Sequence, residues 1–206
     1  MLKIYLARHG QNLDNANGIL NGHRDEPLTE KGIEQARVVA GLIRAAGLHF
    51  DHIFASPLIR AHKTAEIIAE TIAGPKPVVL DELIERDFGS MSGIEQSRID
   101  ELCSPDIIKT DTVTYFLDPP GAETFPDLLV RARRLLANLQ EEYADGSILL
   151  VTHGDFGKMV YAAYYDLDWQ DILTMFHFGN SEVLELSPDP RARDTHKSFI
   201  IEQHNT

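Results

Sequence analysis

The chain has 206 residues, 43% of them apolar, enough for one sizeable domain with a buried core. Its 32 acidic residues outnumber 19 basic ones, a formal net charge of −13 that excludes a general binder of nucleic acid or anionic membrane, since both need a basic footprint. A single cysteine, Cys103, excludes an intramolecular disulfide and a thiolate metal cage, and suits a reducing compartment.

In chain order, Leu2 to Ala7 is short and rich in β-formers and predicts a buried strand. "TEKGIEQARVVAGLIRAA" (29–46) predicts a helix with Thr29 as N-cap, Ile33, Ala36, Ala40 and Ile43 on one face, and Gly47 beyond its end. "HIFAS" (52–56) reads as a strand, followed by a helix with Ala61, Ala65, Ile68 and Ile72 along one side, which Gly74 and Pro75 end. "PVVL" (77–80) is another short strand. Residues 89–122 are irregular but carry recurring Ile, Leu, Tyr and Phe, and predict a cap-like excursion over an active site. A helix from about Glu123 to Tyr143 presents Leu128, Ala132, Leu135 and Leu139. "SILLVTH" (147–153) is the strongest strand signal and precedes a helix near 155–165. "EVLELS" (182–187) and "SFIIEQ" (198–203) are candidate strands joined by the turn-rich "PDPRARDTHK" (188–197).

Strands alternating with helices predict an α/β protein with a mainly parallel central sheet, in which ligands bind beyond the carboxyl ends of the strands. Two strands end alike, one in Arg8-His9-Gly10 and the other in His153-Gly154, so two histidines are expected to face one crevice. No apolar run approaches the roughly 18 residues of a membrane span. The opening "MLKIYLARHG" has too short an apolar run for a secretory leader, so a cytoplasmic protein is expected.

Five ordered stretches carry a resemblance: "ARHGQNLDNANG", "GHRDEPLTEKGIEQA" (22–36), "ASPLIRAHKTAEIIA" (55–69), "LIERDFGSMSG" (83–93) and "LLVTHGDFGKMV" (149–160). Together they resemble the histidine phosphatase superfamily, phosphoglycerate mutase-like branch, over nearly the whole chain. The resemblance implies a three-layer α/β/α sandwich and one domain over 1–206. It implies that His9 is the nucleophile taking the phosphoryl group, that Arg8, Arg60 and His153 hold it, and that Glu85 handles the leaving-group proton. Phosphoryl transfer asks a protein mainly for positioning and for charge stabilisation, and arginine is suited to both. Two nearby arginines should lower the His9 pKa and keep it neutral for attack. Gly10 and Gly154 would let the backbone approach a ligand, and Asn15, Asn21 and Gly22 would add neutral donors to phosphate oxygens. Asn12 stands where the family usually has a hydroxyl residue, Asp14 where it often has an aromatic one, and Gln11 replaces a frequent glutamate. His23, His49, His52, His62, His177, His196 and His204 read as structural or solvated residues.

Rival readings fare poorly. Cys103 begins "CSPDIIK", with no arginine-closed phosphate loop; no HxH or HExxH pair suggests a metal; and no G-x-G-x-x-G follows the first strand. A phosphate-binding regulatory module without turnover would have no need of Glu85. Within the family the mutase branch grips a substrate carboxylate with paired arginines and a lysine after the glutamate, whereas 94–120 offers only Arg98 and Lys109. The expectation is therefore a phosphatase for a small phosphorylated substrate, with neither metal nor organic cofactor, and mutase as the alternative. A homodimer is compatible with this reading.

Overall fold

A computed structural model of the chain describes residues 1–186. The candidate strand at 198–203, the turn-rich 188–197, His196 and His204 lie outside the described residues. In chain order the elements are β1 (Lys3–Arg8), α1 (Leu13–Ala16), α2 (Glu30–Ala45), β2 (His52–Ala55), α3 (Ile59–Ile72), β3 (Val78–Val79) and α4 (Ile99–Cys103). There follow β4 (Ile107–Lys109), β5 (Thr114–Phe116), α5 (Phe125–Glu142), β6 (Ser147–Thr152), α6 (Gly154–Tyr165), α7 (Trp169–Met175) and β7 (Val183–Leu186).

The main sheet runs β3-β2-β6-β1-β7. All neighbours are parallel except β7, which closes the β1 edge antiparallel. Side chains alternate across a strand, and here each face meets a different set of helices. Ile4, Leu6, Phe54, Ile148 and Leu150 pack on α5, α6 and α7, through residues such as Leu128, Leu135, Phe156 and Ile172. Tyr5, Ala7, Ile53, Ala55, Leu149 and Val151 pack on α2 and α3, through Val39, Ile43, Ala65 and Ile68. Because both faces are covered, the central strands read as continuous apolar runs. The result is the expected α/β/α sandwich with a mostly parallel sheet.

Local signals hold with small shifts. Thr29 caps α2, its hydroxyl accepting from the Gly32 N–H. Ala36, Ala40 and Ile43 are buried as expected, but Ile33 is half-buried and the stripe is completed by Gln35 and Val39. Likewise Ile72 is half-buried at the end of α3. The helix ends just before Gly74 and Pro75 as expected, with Ala73 (φ 53°) as the left-handed cap. Residues 89–122 contain two short 3-10 turns, α4 and the β4–β5 hairpin. They rest on their own apolar cluster of Leu20, Phe88, Met91, Ile99 and Phe116.

The loop after β1 is fixed by a backbone contact. A Cβ on Gly10 would collide with the Gly32 carbonyl, and one on Gly32 with the Gln11 carbonyl. The glycine at position 10 is thus required by the first turn of α2. Thr29 N–H and the Gln35 side chain complete the dock, bonding the Gln11 carbonyl and N–H at 3.0 and 2.7 Å. Gly32→Ala is expected to lower unfolding free energy in urea by about 2–3 kcal/mol through this overpacking. Gly41→Ala in the same helix, where a Cβ meets nothing within 4 Å, should be neutral or gain up to about 1 kcal/mol.

Candidate active site

Strands β1 and β6 are parallel neighbours with Arg8 opposite Thr152, so the residues that follow each strand emerge side by side. His9 and His153 accordingly stand with ring centroids 5.0 Å apart. The His9 ring is fixed on both sides. Its Nδ1 lies 2.6 Å from the Gly10 carbonyl, which can only accept, so Nδ1 carries the proton. Nε2 therefore keeps its lone pair, which receives the Arg60 Nε–H at 3.3 Å. Arg60 is 1% exposed and donates its remaining bonds to the carbonyls of Arg24 (2.6 Å) and Gly22 (2.9 Å). The Asp14 carboxylate holds the Arg24 side chain at 2.8 Å, so Asp14 steadies the segment that positions Arg60.

Burial, then the charges of Arg60 and Arg8, push the His9 pKa well below the usual imidazole value. The arginines act in the expected direction, but desolvation ranks first. Arg60 is itself pushed down to about 10 by burial and stays cationic at neutral pH. The second imidazole, His153, is lowered by burial and then by Arg60. Its Nε2 lies 2.7 Å from the Ser56 hydroxyl at the end of β2. Ser56 Oγ also accepts from the Leu58 N–H; with its own proton directed to Nε2, the imidazole proton sits on Nδ1.

Glu85 reaches the start of α6. One carboxyl oxygen accepts from the N–H groups of Arg86 (2.8 Å) and Phe156 (3.0 Å), the other from Asp155 (3.3 Å). Those bonds favour the anion, but burial and the nearby Asp155 outweigh them and raise the Glu85 pKa. A neutral imidazole beside a carboxyl biased toward its protonated form is the pairing that nucleophilic attack and leaving-group protonation require.

Three buried nitrogens in this cluster meet no partner among the described residues: the donors Arg8 Nε and Asn12 Nδ2, and His153 Nδ1, a donor in the tautomer whose Nε2 accepts from Ser56. Buried polar atoms are nearly always satisfied, so unmatched donors grouped around two cations mark a place for an anion's oxygens. Asn12 keeps its amide pointing that way because its Oδ1 accepts from the Asn15 N–H (3.0 Å) and Asn21 Nδ2 (2.9 Å). The site thus absorbs the replacement of a hydroxyl by an amide.

A cavity of about 580 Å³ adjoins the cluster. Of the expected residues, Arg8, Asn15, Asn21, Glu85 and Gly154 line it, while His9, Arg60 and His153 are buried against one another. A Cβ on Gly154 would sit 3.5 Å from the Arg8 guanidinium carbon. Gly10 and Gly22 do not line the cavity: Gly10 makes room for Gly32, and Gly22 turns with φ +51° and gives its carbonyl to Arg60. Sequence reasoning missed Ser56, Arg86, Tyr115, Lys158 and His177. A serine directly after a strand that neighbours β6 was a usable signal for Ser56. Lys158 falls one turn after Gly154, which was also readable.

Comparison with known proteins identifies the family. The family model of the histidine phosphatase superfamily (branch 1) matches residues 4–199. A 2,3-bisphosphoglycerate-dependent phosphoglycerate mutase from Rhizobium etli is 31% identical over 179 residues, covering 85% of this chain and 86% of that protein. The enzyme of the same name from Methylobacterium sp. (strain 4-46) is 37% identical over 130 residues, and the match spans 62% of its length and of this chain. Among solved structures, a mycobacterial glucosyl-3-phosphoglycerate phosphatase superposes with TM-score 0.75 at 26% identity over 90% of both chains. A phosphoserine phosphatase variant from Entamoeba histolytica superposes with TM-score 0.72, also at 26% identity and 90% of both chains. By motif, fold and family match, the chain belongs to the histidine phosphatase superfamily.

Proposed function

We propose that this protein is a phosphatase that hydrolyses a small phosphomonoester through a phosphohistidine on His9. The observation that carries the reading is the His9 hydrogen-bond pattern, with a proton on Nδ1 and an unprotonated Nε2 facing Arg60 in a cationic, buried setting. In this mechanism Nε2 attacks phosphorus while Arg8, Arg60, Asn12 and His153 donate to the equatorial oxygens. The Arg60 Nε–H passes from Nε2 to a phosphoryl oxygen as the P–N bond forms. The P–O ester bond breaks, and Glu85 protonates the departing alkoxide. The Gly10 carbonyl, accepting from Nδ1–H, stabilises the positive imidazole of the intermediate. Glu85, now ionised, takes a proton from water as its oxygen attacks phosphorus; the P–N bond breaks and phosphate leaves. The single cysteine supports a cytoplasmic setting, and the residues that carry the scheme need neither a metal nor an organic cofactor.

Hydrolysis is favoured over mutase chemistry by the two cations of the 94–120 stretch. Arg98 bonds Glu101 (3.1 Å) and Lys109 bonds Asp100 (2.7 Å), both at the surface, and neither lines the cavity. A mutase is the second reading, supported by the names of the sequence relatives.

Hydrolysis of 4-nitrophenyl phosphate is expected to resist EDTA and to vanish in His9→Ala, with phosphoglycerate mutase activity low even when the bisphosphate is added. Dominant mutase turnover would replace the hydrolytic reading. The pH profile is a further check. Because the His9 pKa is lowered, the nucleophile stays neutral as pH falls, so kcat/KM should persist at pH 5. An ordinary imidazole of pKa 6.5 would be only about 3% neutral there. A rate that collapses between pH 7 and 6 would contradict the assignment.

A further inference from the structure

We propose that Lys158 determines specificity by receiving a carboxylate on the leaving-group side of the substrate. The inference rests on the phosphomonoester reading of the site and extends it.

Lys158 sits on α6 four residues after Gly154, hence on the same helical face and about 6 Å further along the axis. Gly154 lies against the Arg8 guanidinium, so α6 leads directly from the proposed phosphate position to the lysine. Lys158 is 2% exposed yet lines the cavity. Its ammonium has three N–H donors. Two go to the carbonyls of Ile172 (3.3 Å) and Leu173 (3.0 Å) at the end of α7. The ammonium also lies 5.2 Å from the ring centroids of Tyr115 and Phe176. Among the described residues no carboxylate forms an ion pair with it. The nearest acidic influence, Asp155, is bonded to Arg86 at 2.9 Å. Burial accordingly pulls the Lys158 pKa down to about 8. A buried cation with a spare donor and no counter-ion, one turn from the phosphate site, matches a singly charged carboxylate. The Arg86 fork, by contrast, is occupied by Asp155 and stacked among Phe88, Phe116 and Phe125. A lysine that only capped α7 would affect stability without distinguishing ligands.

The test compares two ligands that differ only at the far end: 3-phosphoglycerate, and glycerol 1-phosphate, in which CH₂OH replaces the carboxylate. Calorimetric titration uses His9→Ala protein, so that turnover plays no part. The carboxylate ligand is expected to bind at least tenfold tighter, and adding Lys158→Met should reduce that preference to within twofold. Equal binding of the two ligands, or a preference that survives in folded Lys158→Met protein, would overturn the assignment. Should Lys158→Met not fold, the ¹⁵N resonance of the Lys158 Nζ in His9→Ala protein decides. 3-Phosphoglycerate should move it and glycerol 1-phosphate should not, and an equal response to both would sink the idea. Loss of 4-nitrophenyl phosphate hydrolysis would count against the phosphatase reading alone, because the binding preference is measured without turnover.

Discussion

The structure is organised around holding an uncharged imidazole beside a buried arginine. Desolvation and two guanidinium groups all act against a proton on His9 Nε2, and the Gly10 carbonyl claims the proton on Nδ1. Such a cluster is costly, because a buried cation needs partners or an anion. Arg60 meets that cost with carbonyls from the 22–24 segment, which Asp14 steadies through Arg24. The parallel pairing of β1 with β6 brings in the second imidazole, and β2 contributes Ser56 to orient it. Each element next to the site can thus be described by what it does for this one contact.

Charge is distributed to match. On a strongly acidic chain, many basic side chains form exposed pairs within a few residues, such as Lys63 with Glu66 and Arg98 with Glu101. Exposed pairs of this kind contribute little to stability. Arg8, Arg60 and Lys158 are bonded to backbone carbonyls instead, an arrangement that leaves their positive charge available to a ligand. The surrounding acidity also favours release of an anionic product into solvent.

Much of this was readable in the sequence, for physical reasons. Buried parallel strands announce themselves as apolar runs, and the residue after such a strand must face the crevice, so the positions of His9 and His153 followed from topology. Glu85 was placed by its motif; its partnership with the start of α6 was not foreseeable, because it depends on a fold-level approach of residues 85 and 155–156. The short helices α1 and α7 carry too few turns for a periodic signal. Gly10 and Gly22 were expected beside a ligand, but Gly10 is fixed by the Gly32 backbone and Gly22 by its left-handed turn against Phe88 and its bond to Arg60. Lys158 was signalled by its position one turn after Gly154, but a lysine within an otherwise apolar helical stretch also reads as a snorkelling surface residue, and its burial depends on the fold-level approach of α7.

One face of the β4–β5 hairpin closes a small core of its own around Phe116, while Tyr115 on the other face joins the core between the sheet and α5. This hairpin supplies one wall of the cavity, from Thr112 to Phe116. The residues proposed for phosphoryl chemistry stand at the strand ends, while the facing wall belongs to a segment anchored only partly on the main core. Natural variation can therefore rebuild that wall, in length or in composition, while the reacting centre stays in register. One scaffold of this design can serve many different alcohols.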